Sequence, residues 1–221
     1  MVNTDSQMPK NSPVIIAQND HFWVLNKPAG WTVQRDKDAP SVLQWLENEF
    51  AIKPYPVHRL DKPTSGILLV AKTTQANREL SMAFAERKVS KTYLAVSDCK
   101  PRKKQGWIKG DMVPARRGQW KLLRTQQNPA ITQFSSYLLE SSLRGFILQP
   151  KTGKTHQLRV AMKSLGAPIL GDVRYGGTEA RRVFLHAWRI EFSYHGECYF
   201  YQQDPVVNDD CAWPFSLPVS S

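Results

Sequence analysis

Along the chain, apolar and polar positions alternate on two different periods. "FWVLNKPAG" opens with a short apolar run, Phe22 to Leu25, stopped by Lys27-Pro28 and Gly30, which predicts a strand. In "SVLQWLENEF" the apolar residues Val42, Leu43, Trp45, Leu46 and Phe50 follow helical spacing, and Ser41 supplies an N-cap oxygen. "GILLVAKT" is a continuous apolar run bounded by Ser65-Gly66 and predicts a buried strand. "TTQANRELSMAFAERK" predicts a helix capped by Thr73 or Thr74, with Leu80, Met82, Ala83 and Phe84 as packing candidates. "KTYLAVS" predicts another strand, and "AITQFSSYLLES" and "RGFILQP" predict a strand pair. Residues 100–124 are basic and Gly-punctuated, which suggests a hairpin region. "HQLRVAMKSLG" predicts a helix closed by Gly166, with Pro168 just beyond. Strands and helices mix without regular βαβ alternation. The expected fold is therefore α+β, a largely antiparallel or mixed central sheet flanked by helices.

The 221 residues are enough for one sizeable core, and the order of elements shows no repeat, linker or composition break. One domain over residues 13–221 is expected, after a polar, disordered tail at 1–12. Charge changes the picture. Thirty Lys and Arg face nineteen Asp and Glu, a formal net charge of +11. That excess favours a polyanionic partner, nucleic acid first. Cys99, Cys198 and Cys211 form no CxxC pair, so neither a zinc site nor a disulfide framework is indicated. The N-terminal "VIIA" is too short for a signal peptide core, and no run approaches the ~20 apolar residues of a membrane span. A cytoplasmic protein is the expectation, and with no oligomerisation stripe a monomer.

Two stretches carry candidate chemistry. In "HRLDKPTSG", Asp61 stands in a loop just before a buried strand, a place where catalytic groups concentrate. Arg59, two residues away, lies on the same side if the segment is extended, and a nearby cation favours the ionised carboxylate. Asp61 is equally suited to closing a turn through its own backbone. In "PKTGKTHQLRVAMKSLGAPILGD", Lys151, Lys154, His156, Arg159 and Lys163 gather around one helix start. A helix running through Lys154 and Leu158 would show both on one face. Arg159 and Lys163 would then project elsewhere, towards a phosphate backbone.

Taken together, these stretches resemble the RluA branch of the pseudouridine synthases. The resemblance is carried by "NKPAG", "HRLDKPTSGILLVAK", "SKTYLAV", "LQPKTGKTHQLRVAM" with "GAPILGD", and "LHAWRIEF", in unbroken order from about Asp20 to about Phe192. It implies isomerisation of selected uridines in ribosomal or transfer RNA, in a stem-loop, with neither metal nor organic cofactor. It implies that Asp61 is the essential aspartate, that Tyr93 packs on the target base, and that Lys154 pairs with Asp61. Leu158 would lie beside the base, Arg59 would fill the space of a flipped nucleotide, and His58 with Thr64 would hold the loop. A histidine is common in the family where this chain has Ala161. Too few residues precede the first motif for the S4 RNA-binding module of many relatives. Expected RNA contacts are therefore on the domain itself, in "KPRKKQGWIKG" with Lys103 and Lys104, at Arg116, Arg117, Lys121 and Arg124, at Arg159 and Lys163, and at Arg181 and Arg182.

Two other classes of function are open at this point. One is a non-catalytic RNA-binding or ribosome-assembly factor on the same fold. The other is a metal-dependent phosphodiesterase using Asp61 and Asp172, disfavoured because the carboxylates are scattered among lysines.

Overall fold

The computed structural model describes residues 11–139, 142–206 and Trp213. Residues 1–10 of the expected N-terminal tail, and Cys211, lie outside the described residues. In chain order the elements are β1 (Val14–Gln18), β2 (Phe22–Lys27), α1 (Val42–Phe50), β3 (Tyr55–Pro56), β4 (Ser65–Ala71), α2 (Thr74–Ala85) and β5 (Ser90–Ser97). These are followed by β6 (Gln105–Gly110), β7 (Met112–Pro114), β8 (Trp120–Leu122), β9 (Ala130–Leu138), β10 (Arg144–Pro150), α3 (Gln157–Ser164), β11 (Leu185–Tyr194) and β12 (Glu197–Gln202).

The fold is α+β, as expected. One mixed sheet runs β1-β2-β4-β11-β5-β10-β9-β6, with β3 added to β4 and β12 to β11; β7 and β8 form a separate hairpin. Its pairings are antiparallel except for β4 with β11. Local chemistry explains the helices. Ser41 caps α1 through Gln44 N–H, and Thr73, rather than Thr74, caps α2 through Ala76 N–H. After α3, Gly166 takes a left-handed conformation, φ +77°, and Ala167 N–H returns to Met162 C=O, closing the helix as its sequence suggested. Within α2, Leu80 is buried, whereas Met82 remains 54% exposed and is not a core residue.

The parallel contact between β4 and β11 is short but joins the two halves of the sheet. It pairs His186 with Ser65 and Ala187 with Gly66. Gly66 has φ +107°, and a Cβ there would run into the Ala187 backbone, so only glycine lets the strands approach. Beside it the Ser65 hydroxyl bonds His186 Nδ1 at 2.7 Å. His186 Nε2 donates to Gln203 C=O at 2.8 Å, and Arg182 donates to Ser65 Oγ at 2.5 Å. The imidazole is therefore neutral with its hydrogen on Nε2. From this junction one row of directly paired residues crosses seven strands: Lys27, Gly66, Ala187, Tyr93, Leu148, Phe134 and Gly106. Paired residues share a face, so Lys27 and Tyr93 are set on the same side of the sheet by register.

Burial, opposed by the Gln203 hydrogen bond and assisted by Arg182, lowers the His186 pKa to about 4 from an ordinary 6.5. Between those values the unfolded chain binds a proton that the folded chain refuses. The stability contributed by the neutral ring is complete above pH 6.5 and is lost as pH falls towards 4. Urea unfolding should show this as a loss of up to about 1.4 kcal/mol per pH unit in that window. The same loss should be reduced in His186→Gln; an unchanged pH slope in the variant would remove His186 as its source.

Candidate active site

The loop ahead of β4 is held from several directions. Thr64 N–H closes a turn onto Asp61 C=O at 3.0 Å, and Gly30 N–H donates to Lys62 C=O at 2.8 Å. Lys27, fully buried, sends its ammonium to the carbonyls of Trp31 (2.7 Å), Pro28 (3.0 Å) and Lys62 (3.3 Å). Burial, then the charge of Arg182, draws its pKa down to about 7, against the pull of Asp61. Lys27 thus ties the "NKPAG" turn to the residue that follows Asp61. "NKPAG" marked this turn in the sequence, but a lysine beside proline gave no sign of being buried. On the other side, His58 Nε2 accepts from Leu69 N–H at 3.0 Å, and its ring stacks on Phe84 at 4.5 Å. Burial lowers the His58 pKa to about 3, so the ring is a neutral strut for the loop.

Asp61 emerges into a cleft of about 750 Å³, with its side chain 18% exposed. Tyr93, Leu158, Arg59, Lys154 and His156 also line that cleft. Asp61, Tyr93, Leu158, Arg59, Lys154 and His58, expected at or around the target base, are therefore brought together in one cleft, with Thr64 beside them. Tyr93 is half-buried, and burial together with the Asp61 charge raises its pKa, keeping the phenol neutral. Leu158 is 7% exposed, its side chain continuous with the core beside the cleft wall. Arg59 is exposed at the cleft.

The cation expected to pair with Asp61 is not the one that does so. Lys154 lies ahead of α3, because His156 adopts a left-handed conformation (φ 56°, ψ 19°) and the helix starts only at Gln157. Gln157 Oε1 accepts from Lys154 N–H, and the Lys154 ammonium reaches Asn128 Oδ1 at 3.0 Å. Arg159 stands next to Asp61 instead, with Nη1 3.6 Å from Oδ2. It does not project towards solvent, being only 5% exposed. Its Nε and Nη2 donate to the two oxygens of Asp172 at 2.8 and 2.7 Å, and Asp172 is itself 1% exposed. Burial alone would lower the Arg159 pKa; the hydrogen bonds and charge of Asp172, joined by Asp61, outweigh it and hold the guanidinium above its ordinary value. The planar fork explains the residue type. It holds one carboxylate with two parallel bonds and leaves its remaining nitrogen facing another.

His156 adds a second contact, its Nε2 4.0 Å from Asp61 Oδ2. Its Nδ1 bonds the Tyr175 hydroxyl at 2.7 Å, and that hydroxyl accepts from Trp120 N–H at 3.0 Å. With its phenol hydrogen given to Nδ1, the ring carries its own hydrogen on Nε2, facing the carboxylate. Burial, assisted by Arg159 and Arg174 and opposed by Asp61, lowers the His156 pKa. The Tyr175 ring also lies under the Arg159 guanidinium at 4.8 Å. Tyr175 therefore supports both neighbours of Asp61 and connects them to the β7–β8 hairpin. Nothing in the spacing of "GDVRYGG" announced this, because its partners are 13 to 55 residues away in sequence. Ala161, where the family often has histidine, is 3% exposed and packs in the core with Leu158.

The cleft is strongly basic. Arg59, Arg87, Lys88, Lys91, Lys151 and Lys154 line it, and Asp61 is the one carboxylate among its described lining residues. Lys103, Lys104, Arg116, Arg117 and Lys163 are exposed outside it, Arg116 and Arg117 on the turn that joins β7 to β8. Asp61 and Asp172 do not face a shared vacancy; both face Arg159. Among the described residues no three His, Cys, Asp or Glu side chains gather as metal ligands, and no helix is long and apolar enough to cross a membrane.

A lone carboxylate braced by a buried guanidinium, facing an aromatic ring in a basic cleft, suits an enzyme that handles a base of a nucleic acid. Comparison with known proteins agrees. The family model for RNA pseudouridylate synthase matches residues 21–164. An uncharacterized RNA pseudouridine synthase of Haemophilus influenzae is 49% identical over 183 residues, 81% of this chain and 82% of that protein. The dual-specificity RNA pseudouridine synthase RluA of Escherichia coli is 38% identical over 79% of this chain and 84% of its own length. Among solved structures, human RNA pseudouridylate synthase domain containing 1 superposes with a TM-score of 0.79 at 26% identity, covering 96% of this chain and 94% of that one. The chain belongs to the RNA pseudouridylate synthase family, in its RluA branch, and is an isomerase that makes pseudouridine in RNA.

Removing Arg159 leaves Asp172 buried without its partner. Arg159→Met should cost about 3–5 kcal/mol in urea unfolding, and Lys154→Ala should stay within about 0.5 kcal/mol of the parent. If the lysine variant lost as much stability and activity as the arginine variant, Lys154 would regain its place beside Asp61. Tyr175→Phe keeps the ring beneath Arg159 but drops both hydroxyl bonds. Its single-turnover rate should fall roughly ten- to a hundredfold through misplacement of the centre, with RNA affinity at saturation little changed; a rate equal to the parent's would leave the hydroxyl with no part in the site.

Proposed function

We propose that Asp61 is the residue that performs the isomerisation, on a uridine flipped out of a stem-loop of ribosomal or transfer RNA into the basic cleft. The single observation that carries this reading is the position of Asp61: the one carboxylate among the cleft's described lining residues, 3.6 Å from a guanidinium that Asp172 already fixes. The E. coli relative is named for dual specificity, which supports more than one RNA substrate here.

The chemistry follows from these groups. A uridine inside a stacked helix is out of reach and must leave it. Tyr93, kept neutral, offers a ring face for the uracil, a contact worth roughly 1–3 kcal/mol that helps offset unstacking. Arg59 occupies the space left in the RNA. The bond from C1′ to N1 breaks, the uracil turns while held between Tyr93 and Leu158, and C5 bonds to C1′. The proton on C5 leaves and N1 gains one, so the reaction is a balanced isomerisation. Asp61 acts on C1′ or C6, or takes the proton, and Arg159 with His156 holds its carboxylate in place. No metal or organic cofactor enters these steps. The same reading takes the protein as a cytoplasmic monomer whose affinity for RNA comes from Arg59, Arg87, Lys88, Lys91 and the exposed lysines and arginines around the cleft.

Pseudouridine mapping of cellular RNA, with the gene intact, deleted and restored as Asp61→Asn, tests it. A site lost on deletion and not recovered by the variant is the expected outcome, and it names the substrate. Recovery by Asp61→Asn would overturn the role of the carboxylate and favour a binding factor.

A further inference from the structure

A second recess, of about 530 Å³, lies on the sheet face opposite Tyr93, over β6, β9 and β10. Register builds it from two adjacent rows. Trp107 pairs with Gln133, which pairs with Gln149; Gln105 pairs with Ser135, which pairs with Ile147. Trp107 is 51% exposed on the outermost strand, an unusual place for the largest apolar side chain. The Lys109 ammonium sits 5.4 Å from its ring. The side-chain amides of Gln105, Gln133 and Gln149 are not taken up by other groups among the described residues, and the recess is lined by no carboxylate.

A backbone link joins the strands of the recess to a residue of the catalytic cleft. Lys109 pairs with Ile131, whose carbonyl accepts from Lys151 N–H at 2.8 Å, and Lys151 lines the cleft. β10 and β6, which carry or border these two lysines, are about two strand spacings apart, ~10 Å. At the other end of β6, Lys103 and Lys104 are exposed.

We propose that this recess binds an unpaired nucleotide of the RNA substrate outside the catalytic cleft. The base stacks on Trp107, the glutamine amides meet its hydrogen-bonding edge, and Lys109 and Lys151 follow the phosphates. An exposed indole has a π-face for any base, and an amide offers both a donor and an acceptor, so the site favours single-stranded over paired RNA. The proposal rests on RNA as the substrate of the cleft, but not on the role of Asp61.

The test is fluorescence anisotropy with the full chain and two probes of equal charge, an eight-nucleotide oligoadenylate and an abasic eight-unit backbone. The oligoadenylate has bases but no uridine, so isomerisation plays no part. The parent should bind it more tightly than the abasic probe. Trp107→Ala should weaken oligoadenylate binding roughly five- to a hundredfold and leave abasic binding unchanged, while Trp107→Phe keeps most of the affinity. Because oligoadenylate offers no uridine to isomerise, this result is separate from any failure of the catalytic assignment. Equal affinity of the parent and Trp107→Ala for oligoadenylate would overturn the proposal, whether the face is bare or serves a protein partner.

Discussion

The structure depends on the close approach of β4 and β11 at Gly66 and Ala187. No side chain larger than hydrogen fits there. Because the strands meet, the loop that carries Asp61 is delivered to the edge of β5, where Tyr93 pairs with the same Ala187. The hydrogen bonds of Ser65, His186 and Arg182 fix the register beside it. A one-residue slip would turn Tyr93 to the opposite face and separate it from Asp61. Chemistry at this site is therefore a consequence of strand packing before it is one of side-chain choice.

The polar groups that brace Asp61 are arranged in order of increasing solvent access. Asp172 is buried and is answered by Arg159 with two bonds. Arg159 then has one nitrogen left for Asp61, which faces the cleft. A buried ion pair of this kind does little for net stability compared with apolar packing, but it cannot swing away from its partner. Such fixity holds the Asp61 carboxylate in one place at the wall of the cleft. Lys27 and His58 serve the same end from two sides of the loop, one as a donor to three carbonyls and the other as a neutral acceptor.

The basic character of the chain is likewise unevenly used. Some cations are structural: Arg159 and Lys27 are buried and fully engaged. Others line the cleft or stand outside it with their charge in solvent. Net charge pointed to a polyanion, but it did not distinguish the two groups. Burial does, and it moved Arg159 from an expected phosphate contact to the side of Asp61.

Much of this was legible in the chain itself. The helix caps at Ser41 and Thr73, the left-handed stop at Gly166 and the apolar run of β4 are local, and local chemistry dictates them. The motifs around Asp61, Tyr93 and Leu158 likewise marked residues that do line one cleft. The partner of Asp61 was not legible, because it turns on a single backbone angle. With a helical His156, Lys154 and Leu158 would have shared a face; with His156 left-handed, the helix begins later and Arg159 takes the position. The contributions of Asp172, Tyr175 and Lys27 were hidden for a related reason. Each acts on residues distant in sequence, through contacts that exist only after the sheet has closed and water has been excluded. Sequence determined which elements form and which loop bears the carboxylate; tertiary packing decided which cation stands beside it.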